Sequence, residues 1–122
     1  MSKLAILLWA TTPEQPDLCA APFVYATAAA ALDSEVEIHF AGPSVKLLVP
    51  GVAEQAVTSG GKKVYAFMRE AANLGVRFLA CSMAVTQHTS NGITMIPELS
   101  GVAGASAFVA RSIAPDWKTL VF

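Results

Sequence analysis

The chain has 122 residues, enough for one domain with one core. Hydrophobic residues make up 54% and charged residues 14%, which excludes a disordered chain and suggests extra apolar surface to bury, such as a subunit interface. The formal net charge of -1 offers no basic field for nucleic acid or an anionic membrane. The two cysteines, Cys19 and Cys81, form no disulfide framework and no zinc spacing, and two thiols suit a reducing cytoplasm. One bridge between them stays open as an alternative.

Lys3 to Trp9 is a continuous apolar run, as expected of a parallel strand covered on both faces. It also resembles the start of a signal peptide, but it stops early and Thr11-Thr12-Pro13-Glu14 follows without a small-residue cleavage pattern. No stretch of about 18 uninterrupted apolar residues exists to span a membrane. Thr11 to Asp17 reads as a loop. Leu18 to Leu32 is alanine-rich and helical by propensity, with Asp17 as its cap. Pro22 is tolerable only in a first turn, which places the start of the regular helix near Ala20.

Glu35 to Ala41 is the second strand. Val36, Ile38 and Phe40 alternate with Glu37 and His39, the pattern of an edge strand or one near an interface. Gly42-Pro43 ends it, and a short helical turn over Val45 to Val49 precedes Pro50-Gly51. Val52 to Ser59 is ambiguous, and Gly60-Gly61 is a break. That Gly60-Gly61-Lys62 step matches neither the P-loop nor the dinucleotide fingerprint, and reads as a joint rather than a phosphate site.

Lys62 to Leu74 is the clearest helix, with Val64, Phe67, Met68, Ala71 and Leu74 on one face. Asn73 and Gly75 stop it. Val76 to Ala80 is a buried strand, and Met83 to His88 can wind into a helix. Ile93 to Leu99 carries Pro97 and reads as a packed loop. Gly101 to Ile113 fits a last helix and Trp117 to Phe122 a last strand. The alternation predicts a parallel sheet with helices on both faces. The expected order is 2-1-3-4, with the first and third strands side by side.

The chemistry concentrates at Cys81. A cysteine between a strand end and a helix start faces unpaired backbone N–H groups and the positive end of the helix dipole, which favour thiolate. The competing reading is a cysteine that merely packs. Cys19, at the same sheet edge, is an auxiliary candidate, as are His88, Ser82 and Met83. His88 lies seven residues on, about 10 Å along a regular helix, too far for a direct Cys–His pair unless a bent segment or a neighbouring subunit brings it closer. His39 is mid-strand, where a packed or interfacial histidine is the ordinary reading. Ser82 has no assignable base, Met83 reads as core, and Trp9 as a cleft wall or an interface. Glu14, Asp17 and Glu98 show no paired-carboxylate logic. No metal or cofactor is expected.

Ala21-Pro22-Phe23-Val24-Tyr25-Ala26-Thr27-Ala28-Ala29-Ala30 leading into Val36-Glu37-Ile38-His39-Phe40 resembles the start of DsrE/DsrF-like (YchN-type) proteins. Gly75-Val76-Arg77-Phe78-Leu79-Ala80-Cys81-Ser82-Met83 is similar to their third strand and its following cysteine, and Gly101 to Phe122 resembles their final helix and strand. The resemblance covers nearly the whole chain as a single domain, residues 1–122. It implies a flavodoxin-like three-layer α/β sandwich with four to five mainly parallel strands, usually trimeric or hexameric. It also implies sulfur relay in the cytoplasm. A persulfide on the family's acceptor cysteine, here Cys81, would pass sulfane sulfur from a donor to an acceptor protein such as a TusA-like carrier. Cys19 has no counterpart in that pattern. A small-ligand-binding protein of the same fold, or a non-catalytic subunit of an oligomer, are the alternatives. His39 and Pro43 to Gly51 are the segments expected at subunit contacts.

Overall fold

The computed structural model describes residues 2–122. Five parallel strands form one sheet: β1 (Lys3–Leu8), β2 (Glu35–Phe40), β3 (Arg77–Ala80), β4 (Leu99–Val102) and β5 (Trp117–Val121). Their spatial order is β4-β3-β2-β1-β5. Helices α1 (Pro16–Ala31), α2 (Val52–Gln55), α3 (Val64–Asn73), α4 (Ser82–His88) and α5 (Ala105–Ile113) connect them, with a 3₁₀ segment over Gly42–Leu48.

The order corrects the expected 2-1-3-4 arrangement: β3 lies beside β2, not β1. From β1 to β4 the chain steps one way across the sheet, then returns to place β5 beside β1. Right-handed crossovers put α1 to α4 on one face and leave α5 alone on the other. The packing agrees. The main core joins Ile6, Leu8, Val36, Ile38, Phe40 and Phe78 to Phe23 of α1 and Met68 of α3. A smaller one joins Ala5 and Trp117 to Phe108 of α5. The fold is therefore the expected three-layer α/β sandwich, with one layer much thinner.

β2 is the central strand, not an edge. Its alternation comes from two buried polar residues, Glu37 and His39, at 1% and 3% exposure. They face α5, while Val36, Ile38 and Phe40 face the main core. His39 is thus sealed inside the subunit and is not a contact residue. Most of the Gly42–Leu48 segment is also turned inward, and the Leu48 carbonyl accepts the Ile96 amide at 2.9 Å.

Helix α1 begins at Pro16, in the N1 position that prolines favour, and runs through Pro22. Pro22 has no N–H to give the Leu18 carbonyl, a cost of about 3 kcal/mol in an isolated helix. Burial of Cys19, Phe23 and Ala26 holds the helix on the sheet and overrides it. Asp17 does not cap; its carboxylate accepts the Ser59 amide at 2.8 Å. The Gly101–Ile113 helix is also corrected. Gly101 and Val102 belong to β4, paired with Leu79 and Ala80, and the helix starts at Ala105.

Candidate functional site

All strand C-termini meet at one edge, where the chain passes from strand to turn or helix. Each last residue is tied to its neighbour. The Ala41 amide donates to Leu8 at 3.0 Å, Cys81 to Phe40 at 2.9 Å and Ala103 to Ala80 at 3.0 Å. Cys81 therefore stands between the end of β2 and the end of β4. Its immediate edge neighbours are small: Ala41 and Gly42 on one side, Ala103 and Gly104 on the other.

Cys81 is the N-cap of α4, half-buried and free, with its carbonyl accepting the Val85 amide at 3.0 Å. The strand delivers it because Val76, Phe78 and Ala80 pin β3 into the core. The following residues wind up as expected, one residue earlier than the sequence suggested. Ser82 is exposed at the first helical position. Met83 is 67% exposed, which corrects its assignment to the core. Helix geometry turns the second residue of α4 away from the sheet, while Ala84 takes the buried position.

His88 closes α4 and is half-buried. Seven helical residues set it about 10 Å from Cys81, so no Cys–His pair forms within the subunit. Cys19 is fully buried in the first turns of α1, and its thiol donates to the Thr12 carbonyl at 2.8 Å. Burial pushes its pKa up to about 11, against the lowering effect of that bond and with Glu14 adding to the rise. Both cysteines are free thiols, so the bridge between them is not formed.

Trp9 extends β1 at the same edge and is 63% exposed. Two strand spacings separate it from Cys81, about 10 Å. The strand order reverses at β1, so the switch-point crevice of an open parallel sheet lies there rather than at the cysteine. The other singled-out carboxylates have structural partners. Glu14 accepts from the Thr12 hydroxyl and Glu98 from the Tyr65 hydroxyl at 2.9 Å.

Two surface concavities lie elsewhere. A shallow groove of about 460 Å³ runs between α1 and α3, lined by Ala21, Val24, Tyr25 and Phe67 among others. A smaller one of about 120 Å³ is lined by Val49, Pro50, Tyr65 and Met95 among others. Cys81 lines neither of them; it is half-buried at the strand edge and packs against the main core. Among the described residues no cluster of His, Cys, Asp or Glu could hold a metal ion, and no helix is long and apolar enough to cross a membrane.

A feature the sequence reading missed sits on the opposite sheet face. Glu37 accepts from His39 Nε2 at 3.0 Å, from Arg111 Nε at 3.2 Å and Nη2 at 3.0 Å, and from Arg77 Nη1 at 3.4 Å. Burial pushes the Glu37 carboxyl upward, but the bonds from Arg111 and His39 outweigh it and hold the group below its usual range. Burial holds His39 below its ordinary value, opposed by the Glu37 bond. The legible signal was the polar pair inside an otherwise apolar strand. The partners are 40 and 74 residues away from Glu37, beyond any local pattern.

The fold recurs in solved proteins. YchN from E. coli matches with a TM-score of 0.79 over 100% of both chains, at 13% identity. MTH1491 from Methanobacterium thermoautotrophicum, a protein of unknown function, matches at 0.65 over 100% of both, at 15% identity. BT1422 from Bacteroides thetaiotaomicron, a conserved protein of unknown function, matches at 0.57 over 99% of this chain and 95% of its own, at 20% identity. No curated protein sequence matches the chain. The structural likenesses speak to the fold alone, but a sequence model of one family matches residues 3–112, the span from β1 into the last turn of α5. The chain belongs to the DsrE/DsrF-like family.

Proposed function

We propose that the chain is a sulfurtransferase or sulfur carrier that holds sulfane sulfur as a persulfide on Cys81. The observation that carries this reading is the position of one half-buried free cysteine at the C-terminal sheet edge, in a chain of the DsrE/DsrF-like family. The Cys81 thiolate attacks the sulfane sulfur of a donor persulfide. A new S–S bond forms on Cys81, the donor's S–S bond breaks, and the donor leaves as its thiolate. An acceptor thiolate then attacks the outer sulfur and frees Cys81 as thiolate. No net oxidation occurs in either step.

The position of Cys81 at the sheet edge, at the start of α4, favours macromolecular donors and acceptors over a small buried ligand. An acceptor of the TusA-like carrier class can bring its own cysteine to an open edge. Small neighbours such as Gly42, Ala103 and Gly104 leave room for that approach. The reading places the protein in the cytoplasm as a homo-oligomer, a trimer or hexamer.

The test is to incubate wild type and Cys81→Ser with polysulfide and weigh both intact. A gain of one or more sulfur atoms on wild type alone is expected. Equal gain on both, or none on wild type, overturns the reading in favour of a ligand-binding or non-catalytic subunit.

A further inference from the structure

The α5 face of the sheet is held by few contacts. Its core is Ala5, Phe108 and Trp117, with Leu7 and Ala114 against it. The rest of the attachment is polar. Arg111 reaches from α5 to grip Glu37 through two nitrogens and lies 4.2 Å from the centre of the Trp117 ring. Phe108 meets His39 edge-on, with ring centroids 5.4 Å apart. So one helix rests on one buried carboxylate and one buried imidazole.

The imidazole is the vulnerable member. Nε2–H donates to Glu37, which leaves Nδ1 as a bare acceptor; it is buried and has no partner among the described residues. A proton on Nδ1 would sit in a sealed site without an acceptor, beside two guanidinium groups. The surroundings offer no relief. β1 presents Ala5 and Leu7, with Lys3 at its start paired to Asp116. β3 brings Arg77 and α5 brings Arg111, both cationic. Glu37 is the one anion in contact, and its four bonds are already made. Glu35 lies further along β2 and is exposed.

We propose that His39 is an acid-opened latch: protonation of its imidazole releases α5 from the sheet while the main core stays folded. The sign follows from linkage. In the closed state burial holds the imidazole below its ordinary 6.5, so the open state takes up a proton that the closed state refuses. Acidification through that value therefore favours opening. Glu37 stays ionised over the same interval, since its carboxyl lies below its ordinary 4.5. Release has a direct structural reach. The Ala103 amide, tied to Ala80, and the N-cap Gly104 lead straight into α5, beside the edge that carries Cys81. Any consequence for sulfur transfer rests on the function proposed above; the latch itself does not.

The experiment is hydrogen exchange resolved by segment at pH 7.5 and 5.5, corrected for intrinsic exchange rates, on wild type and His39→Gln. Gln keeps a donor for Glu37 and cannot titrate. Residues 105–113 should lose several-fold protection in acid, up to the tenfold ceiling that one imidazole of ordinary pKa 6.5 allows over this interval, with residues 64–73 of α3 unchanged, and His39→Gln should lose that response. Equal protection of α5 at both pH values overturns the latch. So does parallel loss in α3, which marks global unfolding, or an unaltered response in His39→Gln. Should that variant not fold, the wild-type His39 ring resonance and α5 protection must share one midpoint below 6.5; separate midpoints overturn the proposal.

Discussion

The Cys19 thiol donates to the Thr12 carbonyl across 2.8 Å, and this bond ties the loop after β1 to the first turns of α1. The two cysteines thus divide. Cys19 is sealed, with its pKa raised to about 11, whereas Cys81 stands half-exposed at the sheet edge. At pH 8 roughly one Cys19 in a thousand is ionised, and the thiolate is the reactive form. Folded protein treated with iodoacetamide should be alkylated on Cys81 at least tenfold faster than on Cys19, as read by peptide mass mapping. Denaturant should erase the difference. Equal rates in the folded protein would show that the Thr12–Cys19 loop opens freely. Sulfur loading of Cys19→Ser should match wild type.

Arg111→Ala should destabilise by about 2 kcal/mol in urea unfolding, because it leaves the buried Glu37 carboxylate short of two of its four donor contacts. Retention of Arg77 and His39 keeps the loss below that of a fully orphaned charge. An unchanged midpoint would mean that α5 contributes little to the sheet.

Phe23→Ala should cost about 3–5 kcal/mol. Its ring lies 6.1 Å from that of Phe40 and 5.8 Å from that of Phe78, so it joins α1 to two central strands. Val24→Ala, one position further round the helix and exposed, should change stability by under about 0.5 kcal/mol. Thermal unfolding of both variants checks the contrast.

Asp33→Gly should stabilise the protein by about 0.5–1 kcal/mol. Asp33 follows the C-cap of α1 with φ of 65°, and the Ser34 amide returns to Ala29 at 3.1 Å while the Asp33 amide returns to Ala30 at 3.0 Å. The same closure ends α3, where Gly75 takes the left-handed position at φ 91°. One helix thus uses the residue the geometry prefers and the other does not. A lower unfolding midpoint for Asp33→Gly would show that the aspartate side chain contributes more than its backbone strain costs.

Gly42→Ala should destabilise by about 1–2 kcal/mol, and the same change at exposed Gly60 should not. Gly42 has φ of 55°, and an added Cβ would meet the Trp9 carbonyl at 3.1 Å. That contact sits at the sheet edge between β1 and β2. Urea midpoints of the two variants provide the comparison.

Local pattern alone determined much of this protein. Apolar runs marked β1, β3 and β5, and the period of Val64, Met68 and Ala71 marked α3. The step from Ala80 through Cys81 into a helix was readable because a strand and a helix each carry their own period. Strand order was not readable. Glu37 and His39 imitate the solvent face of an edge strand, and only Arg111, 74 residues beyond Glu37, makes their burial affordable at the centre. β4 was hidden for a similar reason: Leu-Ser-Gly-Val has little strand character until β3 offers it hydrogen bonds. Pro22 misled in the opposite direction, because a local helix cost is overridden by core burial on both sides of it. Propensity and period act between near neighbours, so they specify elements; pairing, order and the partners of buried charges are set by contacts across the whole chain.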